Sequence, residues 1–167
     1  YWLHRYKHRG GWLWRVHFVH HRPSALNVSN NFTTPPLDLL LRKSVHMLPL
    51  WLLGFEPMAI ALAALFSQTQ SFATHANSRG TMGWLNYLIG SAELHRWHHS
   101  VNIAEAQNFG TALPLWDQLF GTADTRRVIE PTGIRDQLPA PQGASRDYGR
   151  GFWAQQWLGL RRMVGAG

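Results

Sequence analysis

The sequence predicts an all-α fold: a membrane-associated helical bundle with a histidine-rich cap on the cytosolic side and a short apolar helical hairpin. Three observations support this prediction. Eight of the ten histidines fall into three clusters, whose spacings of three and four residues place side chains on one helix face. The most apolar stretch, residues 45–66, is broken by a turn near its middle. The nine tryptophans and the formal net charge of +7 are typical of a chain at a membrane surface.

The first 21 residues mix apolar and basic side chains with two of the histidine clusters, which predicts helix. The pair Gly10-Gly11 is expected to divide this segment into two helices with one cluster each. The first clustered histidine, His4, comes so early that we expect an upstream part of the protein to precede this chain.

Residues 22–36 are rich in proline, asparagine and serine and predict a loop, after which a helix starts at Asp38. The apolar stretch that follows is interrupted by Pro49 and by the turn Gly54-Phe55-Glu56-Pro57. A spanning helix needs about 20 mainly apolar residues, and each half of this stretch is shorter. A hairpin that dips into a bilayer is therefore predicted, with a buried hairpin of a soluble protein as the alternative.

The rest of the chain predicts further short helices. Helix is expected to continue to about residue 77, and residues 83–89 are aromatic and suited to a membrane interface. Ser91 is expected to cap the helix that carries the third cluster. We expect one domain over residues 1–125, followed by a Pro/Gly-rich tail, 126–167, that ends in an interfacial helix or a frayed segment.

The histidine clusters indicate a metal site. Their sequences are H-R-Y-K-H, H-F-V-H-H and H-R-W-H-H, and imidazole binds iron, copper, nickel and zinc well. The chain has no cysteine, which excludes disulfides, iron–sulfur ligation and a thiolate nucleophile. Eight convergent nitrogens exceed what one four-coordinate ion can use, so they suit two ions. The eight are His4, His8, His17, His20, His21, His95, His98 and His99.

The pattern favours redox-active metals over a zinc hydrolase. The zinc peptidase motif H-E-x-x-H is absent, and a three-ligand zinc site would leave most of these imidazoles unused. The Glu-x-x-His repeats of ferritin-like di-iron proteins are absent too. An all-imidazole pair of iron ions is favoured, with zinc as an adventitious occupant. His46 has no histidine at helical spacing and is expected to be a surface or hydrogen-bonded core histidine rather than a ligand.

The order H-x-x-x-H, H-x-x-H-H and a distant H-x-x-H-H resembles the fatty acid hydroxylase/sterol desaturase superfamily of integral-membrane di-iron oxygenases. The segments L-H-R-W-H-H-S (residues 94–100), F-A-T-H-A-N (72–77) and N-F-G…L-W-D-Q-L-F-G-T (108–122) extend the resemblance to about residue 125. The chain looks like a bacterial-type sterol desaturase family member without its N-terminal transmembrane part.

This resemblance implies that the eight clustered histidines are ligands and adds His75 as a ninth. It also implies two iron ions, O₂ as co-substrate, and hydroxylation or desaturation of an unactivated C–H position in a membrane lipid such as a sterol or fatty acyl chain. The protein would be integral to or tightly associated with the membrane, with its active site on the cytoplasmic side. The chain departs from the pattern at Ser71, where some members have a further histidine, and at Pro35-Pro36, where many have His-Pro.

An external electron donor is expected because the sequence has no nucleotide-binding loop and no haem or cluster motif. A ferredoxin, or a cytochrome with its reductase, would serve. Basic residues near the clusters could form its docking face, or could simply mark the cytoplasmic side and contact anionic head groups. They are Arg5, Lys7, Arg9, Arg15, Arg22, Arg42, Lys43 and Arg96. No nucleic-acid partner is expected.

Four polar residues are expected to orient the imidazoles through hydrogen bonds, namely Asp38, Glu93, Asn108 and Asp117, with Glu105 as a weaker candidate. Two tryptophans, Trp97 and Trp116, are expected to line a substrate channel, although packing in the core or at an interface is the commoner role of tryptophan.

Two other functions fit parts of the sequence. A zinc- or di-metal-dependent lipid hydrolase would use the same ligands without O₂. A basic, aromatic module could bind membrane or nucleic acid with the histidines incidental, but the Lys and Arg residues are interleaved with the histidines rather than gathered in a separate stripe.

Overall fold

The computed structural model describes residues 1–23, 25–78, 80–102 and 106–125, and single positions beyond them. Six α-helices lie in these ranges: α1 (Trp2–Lys7), α2 (Gly11–His21), α3 (Pro36–Leu52), α4 (Pro57–Thr74), α5 (Ala92–His98) and α6 (Leu115–Leu119). Two 3₁₀ helices, Val28–Thr33 and Gly83–Tyr87, lie between them. No strand occurs in the described ranges, so the all-α prediction is confirmed for them.

The break between α1 and α2 falls at Gly10-Gly11, as the sequence predicts. Gly10 has φ of 90° and Gly11 has φ of 68°, a left-handed region that residues with a Cβ rarely adopt. Because the chain turns here, α1 packs back against α2. The histidines of the two helices are thereby brought to the same side.

Helices α3 and α4 form the predicted hairpin, with its turn at Gly54-Phe55-Glu56. The expectation that Pro49 interrupts the first arm is wrong, because α3 runs through it to Leu52. Pro49 removes one backbone hydrogen bond, that to the Val45 carbonyl, but the helix continues for three more residues. Among the described helices, none combines the length and apolar character needed to cross a membrane. Membrane association stays a prediction.

The outer surface of the hairpin is strongly apolar. Trp51, Leu53 and Met58 near the turn are 67%, 75% and 70% exposed. Leu62 and Leu65 continue this exposure along α4. Such a patch marks a surface that normally contacts another apolar surface.

The third cluster lies on α5, which begins at the predicted cap: the Ser91 hydroxyl accepts a hydrogen bond from the Leu94 amide at 3.1 Å. α5 packs against α4, and α4 also contacts the first 3₁₀ helix. The loop at residues 106–114 then leads to α6.

The interior is unusually polar. Buried apolar side chains in the described ranges are few, chiefly Val16, Phe18, Val19, Leu26 and Leu94. Buried histidines and their partners fill much of the remaining interior. The predicted tail, residues 126–167, lies outside the described ranges except for isolated positions, and Glu105 is also outside them.

Candidate metal centre

Nine histidines converge in two groups. The first histidine group is His4, His8, His17, His21 and His98, and the second histidine group is His20, His75, His95 and His99. Within each group, one ring nitrogen per residue lies within 4.8 Å of every other. The structure thus brings together all eight clustered histidines and His75, and leaves His46 outside both groups.

Each H-x-x-H-H motif serves both groups. On α2, His17 and His21 face the first group while His20 faces the second; on α5, His95 and His99 face the second while His98 faces the first. Residues four apart lie nearly above each other on a helix, whereas the third member is rotated to one side. The two groups consequently adjoin, and the rings of His21 and His99 stack at 4.1 Å between centroids.

Four imidazoles have their orientation set by an oxygen that can only accept. The Nδ1 of His4 donates to the Phe109 carbonyl at 2.8 Å, and that of His98 donates to the Gln107 carbonyl at 2.7 Å. His75 donates in the same way to the Ser71 carbonyl, and His17 to the Asp38 carboxylate, both at 2.7 Å. A neutral imidazole with its proton on Nδ1 leaves an Nε2 lone pair free. This is the arrangement that metal-bound histidines adopt in proteins.

The free nitrogens fit a metal better than they fit each other. The Nε2 atoms of His4 and His98 and both ring nitrogens of His8 are buried without a hydrogen-bond partner in the described structure. In the second histidine group the metal-facing Nε2 atoms meet only one another. The Nε2 atom of His95 lies 3.0 Å from that of His75 and 3.1 Å from that of His99. Two nitrogens bound at right angles to one ion at about 2.1 Å would lie about 3.0 Å apart. The donor set therefore suits one metal ion per group.

The electrostatics favour neutral imidazoles. Burial is the largest cause at all nine and lowers their pKa values, to about 4 at His75 and about 3 at His98. Positive charge on neighbouring imidazoles lowers the pKa of most of them further. Neutral imidazole is the form that binds metal.

Asp38 contacts an imidazole directly, that of His17. It is 1% exposed, and its second oxygen accepts from the Lys7 ammonium. Burial alone would raise the pKa of Asp38, but the interactions with His17 and Lys7 outweigh it and hold the pKa at about 2. The ionised carboxylate thus fixes the His17 ring.

Asp117 and Asn108 act on the loop at residues 106–114 instead. The Asp117 carboxylate accepts from the Phe109 and Gly110 amides, both at 2.7 Å, and so holds the peptide whose carbonyl receives His4. Asn108, with φ of 59°, pairs with the backbone of Asp124. Neither hydrogen-bonds an imidazole in the described structure, because each side chain is occupied by backbone groups.

Glu93 contacts the preceding loop. Its carboxylate accepts from the Asn86 amide group at 2.7 Å and from the Met82 backbone at 3.1 Å. It lies in the first turn of α5, two residues before His95, where its side chain is rotated away from the histidine face. Its expected role as an imidazole partner stays a prediction.

A cavity of about 490 Å³ opens beside both groups and reaches His4 and His17 of the first and His20, His75 and His95 of the second. Trp116 lines it, and its contact with substrate stays a prediction. Trp97 does not line it, because it lies two residues beyond His95 and faces another side of α5. The expected contact of Trp97 with substrate stays a prediction.

Sequence reasoning missed two cations at the site. The sequence places Lys7 and Arg42 among basic residues that could form a docking face or contact anionic head groups. In the structure Lys7 is 3% exposed and paired with Asp38, and Arg42 is half-buried and lines the cavity. The spacing of Lys7, Asp38 and Arg42 was the available signal. Lys7 lies between two histidines, and Arg42 follows Asp38 by one helical turn.

Comparison with known proteins gives consistent matches. The family model for fatty acid hydroxylase matches residues 1–122. Ornithine lipid hydroxylase OlsE of Rhizobium tropici is 35% identical over 123 residues, 73% of this chain and 37% of that protein. An alkylglycerol monooxygenase of Xenopus tropicalis is 27% identical over 125 residues, 73% of this chain and 27% of that protein.

A third relative, the fatty acid hydroxylase vlmA of Lecanicillium sp, is 29% identical over 154 residues, 81% of this chain and 41% of that protein. The chain spans about two fifths or less of the length of these curated relatives. No solved structure matches it.

Proposed function

Because the chain belongs to the fatty acid hydroxylase family, we propose that it is the metal-bearing part of an enzyme that uses two iron ions and O₂ to hydroxylate a lipid. The observation that carries this proposal is the convergence of nine imidazoles in two adjoining groups beside one cavity. The relatives named as lipid hydroxylase and monooxygenase support hydroxylation over desaturation.

One ion would be held by the first histidine group and one by the second. When bound, the iron pair would supply the activation of O₂ and the attack on an unactivated C–H bond, which no protein side chain can perform. The chain's own residues hold the ring nitrogens in place. Asp38 and the carbonyls of Ser71, Gln107 and Phe109 each receive an Nδ1 proton and keep the opposite nitrogen free.

The cavity would position the lipid and keep water away from the centre. Trp2, Leu3, Leu113 and Trp116 give it an apolar wall beside His4. An alkyl chain that lies along this wall would present a C–H bond to the histidine groups with little freedom to move. Hydroxylation would then depend on how the cavity aligns the C–H bond with the histidine groups rather than on an acidic or basic side chain.

Electrons would come from a separate donor protein, and membrane contact would come from the hairpin of α3 and α4. Insertion of one oxygen atom into a C–H bond releases the other as water and consumes two electrons and two protons. A ferredoxin, or a cytochrome with its reductase, is the proposed donor, and the active site would face the cytoplasm. The exposed apolar hairpin of α3 and α4 would rest in the membrane that carries the substrate.

The test combines metal analysis with isotope labelling. We expect about two iron ions per chain after anaerobic purification, and incorporation of one ¹⁸O atom from ¹⁸O₂ into a membrane lipid when a reductant is supplied. A lipid extract from cells that lack the gene, compared with one from cells that have it, identifies the product by mass spectrometry.

Two results would contradict the proposal. Zinc alone, with lipid turnover that is independent of O₂, would favour the lipid hydrolase. Salt-sensitive nucleic-acid binding that survives the change His98→Ala, with no metal bound, would favour the binding module.

A further inference from the structure

The cavity has two chemically different walls. One is the apolar wall named above. The other is formed by one face of α3 and its neighbours, where Asp38, Arg42 and His46 follow each other at four-residue spacing. Asp38 is buried, Arg42 is half-buried and His46 is exposed, so this face leads from the histidine groups toward the outside. An amphipathic molecule would match both walls at once.

Arg42 carries a hydrogen-bond donor that the surrounding protein leaves unsatisfied in the described residues, although the charge of Asp38 is close by. Its Nε–H is buried without any hydrogen bond in the described structure. Each oxygen of the nearby Asp38 carboxylate already accepts one hydrogen bond, one from Lys7 and the other from His17, and no hydrogen bond joins it to Arg42 in the described residues. A buried charged donor without an acceptor is costly and calls for a ligand.

The local charge is positive. Lys7 and Arg42 carry two positive charges against the one negative charge of Asp38. One positive charge is left over while the imidazoles are neutral, and bound metal ions would add to it. A guanidinium presents a planar fork that matches the two oxygens of a carboxylate or phosphate.

Arg42 lies close to the histidine groups along α3. Four residues along α3 correspond to about 6 Å, so Arg42 lies about one turn beyond the carboxylate that holds His17. An anionic group at Arg42 would leave its attached chain free to follow the apolar wall toward Trp116 and His4.

We propose that Arg42 binds the anionic group, carboxylate or phosphate, of an acidic amphipathic lipid whose alkyl chain occupies the apolar wall. This inference rests on the proposed function and adds the substrate class. Arg42 thereby acts as a specificity-determining residue, and neutral lipids of the same chain length bind less well.

Binding to the metal-loaded protein tests this, with soluble short-chain probes measured by equilibrium dialysis. Octanoate and octyl phosphate carry the anionic group, octanol has the chain without the charge, and inorganic phosphate has the charge without the chain. In Arg42→Gln we expect the dissociation constants for octanoate and octyl phosphate to rise about tenfold or more, and that for octanol to stay unchanged.

Lys43→Gln is the matched control, because Lys43 is the next residue on α3 but lies outside the cavity lining. It should bind octanoate like the wild type. Arg42→Lys keeps the charge without the fork and should bind octanoate several-fold more weakly than wild type. If Arg42→Gln does not fold, the octanoate affinity of Arg42→Lys tests the proposal in its place. Metal content and circular dichroism are measured on each variant.

Three outcomes would overturn the inference: equal octanoate binding by wild type and both Arg42 variants, an equal loss in Lys43→Gln, or inorganic phosphate binding as tightly as octyl phosphate. The last would make the ligand a free anion rather than a lipid. Arg42-dependent octanoate binding by a protein that hydroxylates no lipid would instead contradict the proposed function alone.

Discussion

The hydrogen bond that Nδ1 donates determines how well Nε2 of the same imidazole can bind a metal ion. Backbone carbonyls receive the Nδ1 protons of His4, His75 and His98, while a carboxylate receives that of His17. A carboxylate makes the ring more electron-rich than a carbonyl does, so His17 is the strongest donor of the four. Lys7 moderates this effect because it shares the Asp38 charge.

Asp38→Asn is expected to weaken both fold and metal binding. The variant leaves the Lys7 ammonium buried without a negative partner, which costs about 3 kcal/mol of unfolding free energy. Loss of the charged partner of His17 lowers metal affinity about tenfold or more. Urea denaturation and competition with a chelator measure the two effects. Glu56→Gln, a change at an exposed carboxylate, is the control, and equal behaviour of the two variants would contradict the role given to Asp38.

His98→Ala should lower metal content from about two ions per chain to about one or fewer. His98 is fully buried, and its Nε2 faces the first histidine group without another partner. His46→Ala should leave the metal content unchanged, because His46 is outside both groups. Elemental analysis decides between these outcomes. Normal metal content in His98→Ala would remove this residue from the ligand set.

Residue spacing predicted the eight clustered histidines as ligand candidates, and the resemblance added His75. The backbone carbonyls that orient the rings were not predictable, because every residue has a carbonyl and the sequence does not show which of them faces a histidine. The burial of Lys7 and Arg42 was not predictable from the sequence, because basic side chains are mostly exposed and only a contact such as that of Lys7 with Asp38 reveals a buried one.

At the scale of elements, the turn between α1 and α2 determines the first histidine group. Gly10 has φ of 90° and ψ of −160°, a conformation that is essentially restricted to glycine. It lets α1 fold back so that His4 and His8 meet His17 and His21.

Gly10→Ala should therefore destabilise the protein by about 1–3 kcal/mol through backbone strain alone. A Cβ at this position would meet no atom within 4 Å, so steric clash contributes nothing. Gly80→Ala is the control, since its backbone is ordinary and the nearest atom is at 3.5 Å. Urea denaturation of both variants measures the difference. Equal midpoints would show that the turn carries no strain.

The α3–α4 hairpin is expected to insert into a bilayer. Leu53 and Phe55 lie exposed at its turn, and a charge there would cost about 2.5 kcal/mol or more in lipid. Leu53→Glu should reduce the fraction of protein that floats with liposomes. Trp12→Glu, at an exposed aromatic residue on α2, should not. Equal flotation of Leu53→Glu and wild type would contradict insertion through this turn.

Turn residues made these elements predictable, since Gly10-Gly11 and the Gly54-Phe55-Glu56 turn lie where the sequence places breaks. Pro49, in contrast, is a predicted break that lies inside α3, three residues before its end, so one lost backbone hydrogen bond does not stop the helix there. Sequence alone cannot tell such a proline from one that ends a helix.

At the scale of the whole molecule, neutral buried histidines make the metal-free protein sensitive to acid. Their pKa values are lower in the folded chain than the ordinary value of about 6.5, so the unfolded chain binds more protons as the pH falls. Stability is therefore lost below about pH 6.5 and continues to fall toward pH 3.

When the pH falls from 7 to 5, His75 becomes protonated in the unfolded chain but stays neutral in the folded chain, where its pKa is about 4. This difference alone should lower the free energy of unfolding by about 2 kcal/mol. The other buried histidines add to this loss, and protons displace the metal from loaded protein over the same range. Urea denaturation of the metal-free protein at pH 5, 6 and 7 measures it. A midpoint that does not change over this range would contradict the neutral histidine core.

The overall helical class followed from spacing and composition, whereas the division of the histidines into two groups did not. Each H-x-x-H-H motif contributes to both groups, and only the packing of α2 against α1 and α5 against α4 decides which ring goes where. Long-range packing of this kind is invisible in a single motif.

The scarcity of buried leucine, valine and phenylalanine has a practical consequence for how this protein is made in the cell. Bound metal ions would supply much of the stability that an apolar core supplies in other proteins, because the free energy of metal binding contributes to the free energy of folding. Iron starvation would then lower both the catalytic activity and the amount of protein that survives proteolysis. In iron-poor medium the protein would be scarce even where its transcript is abundant.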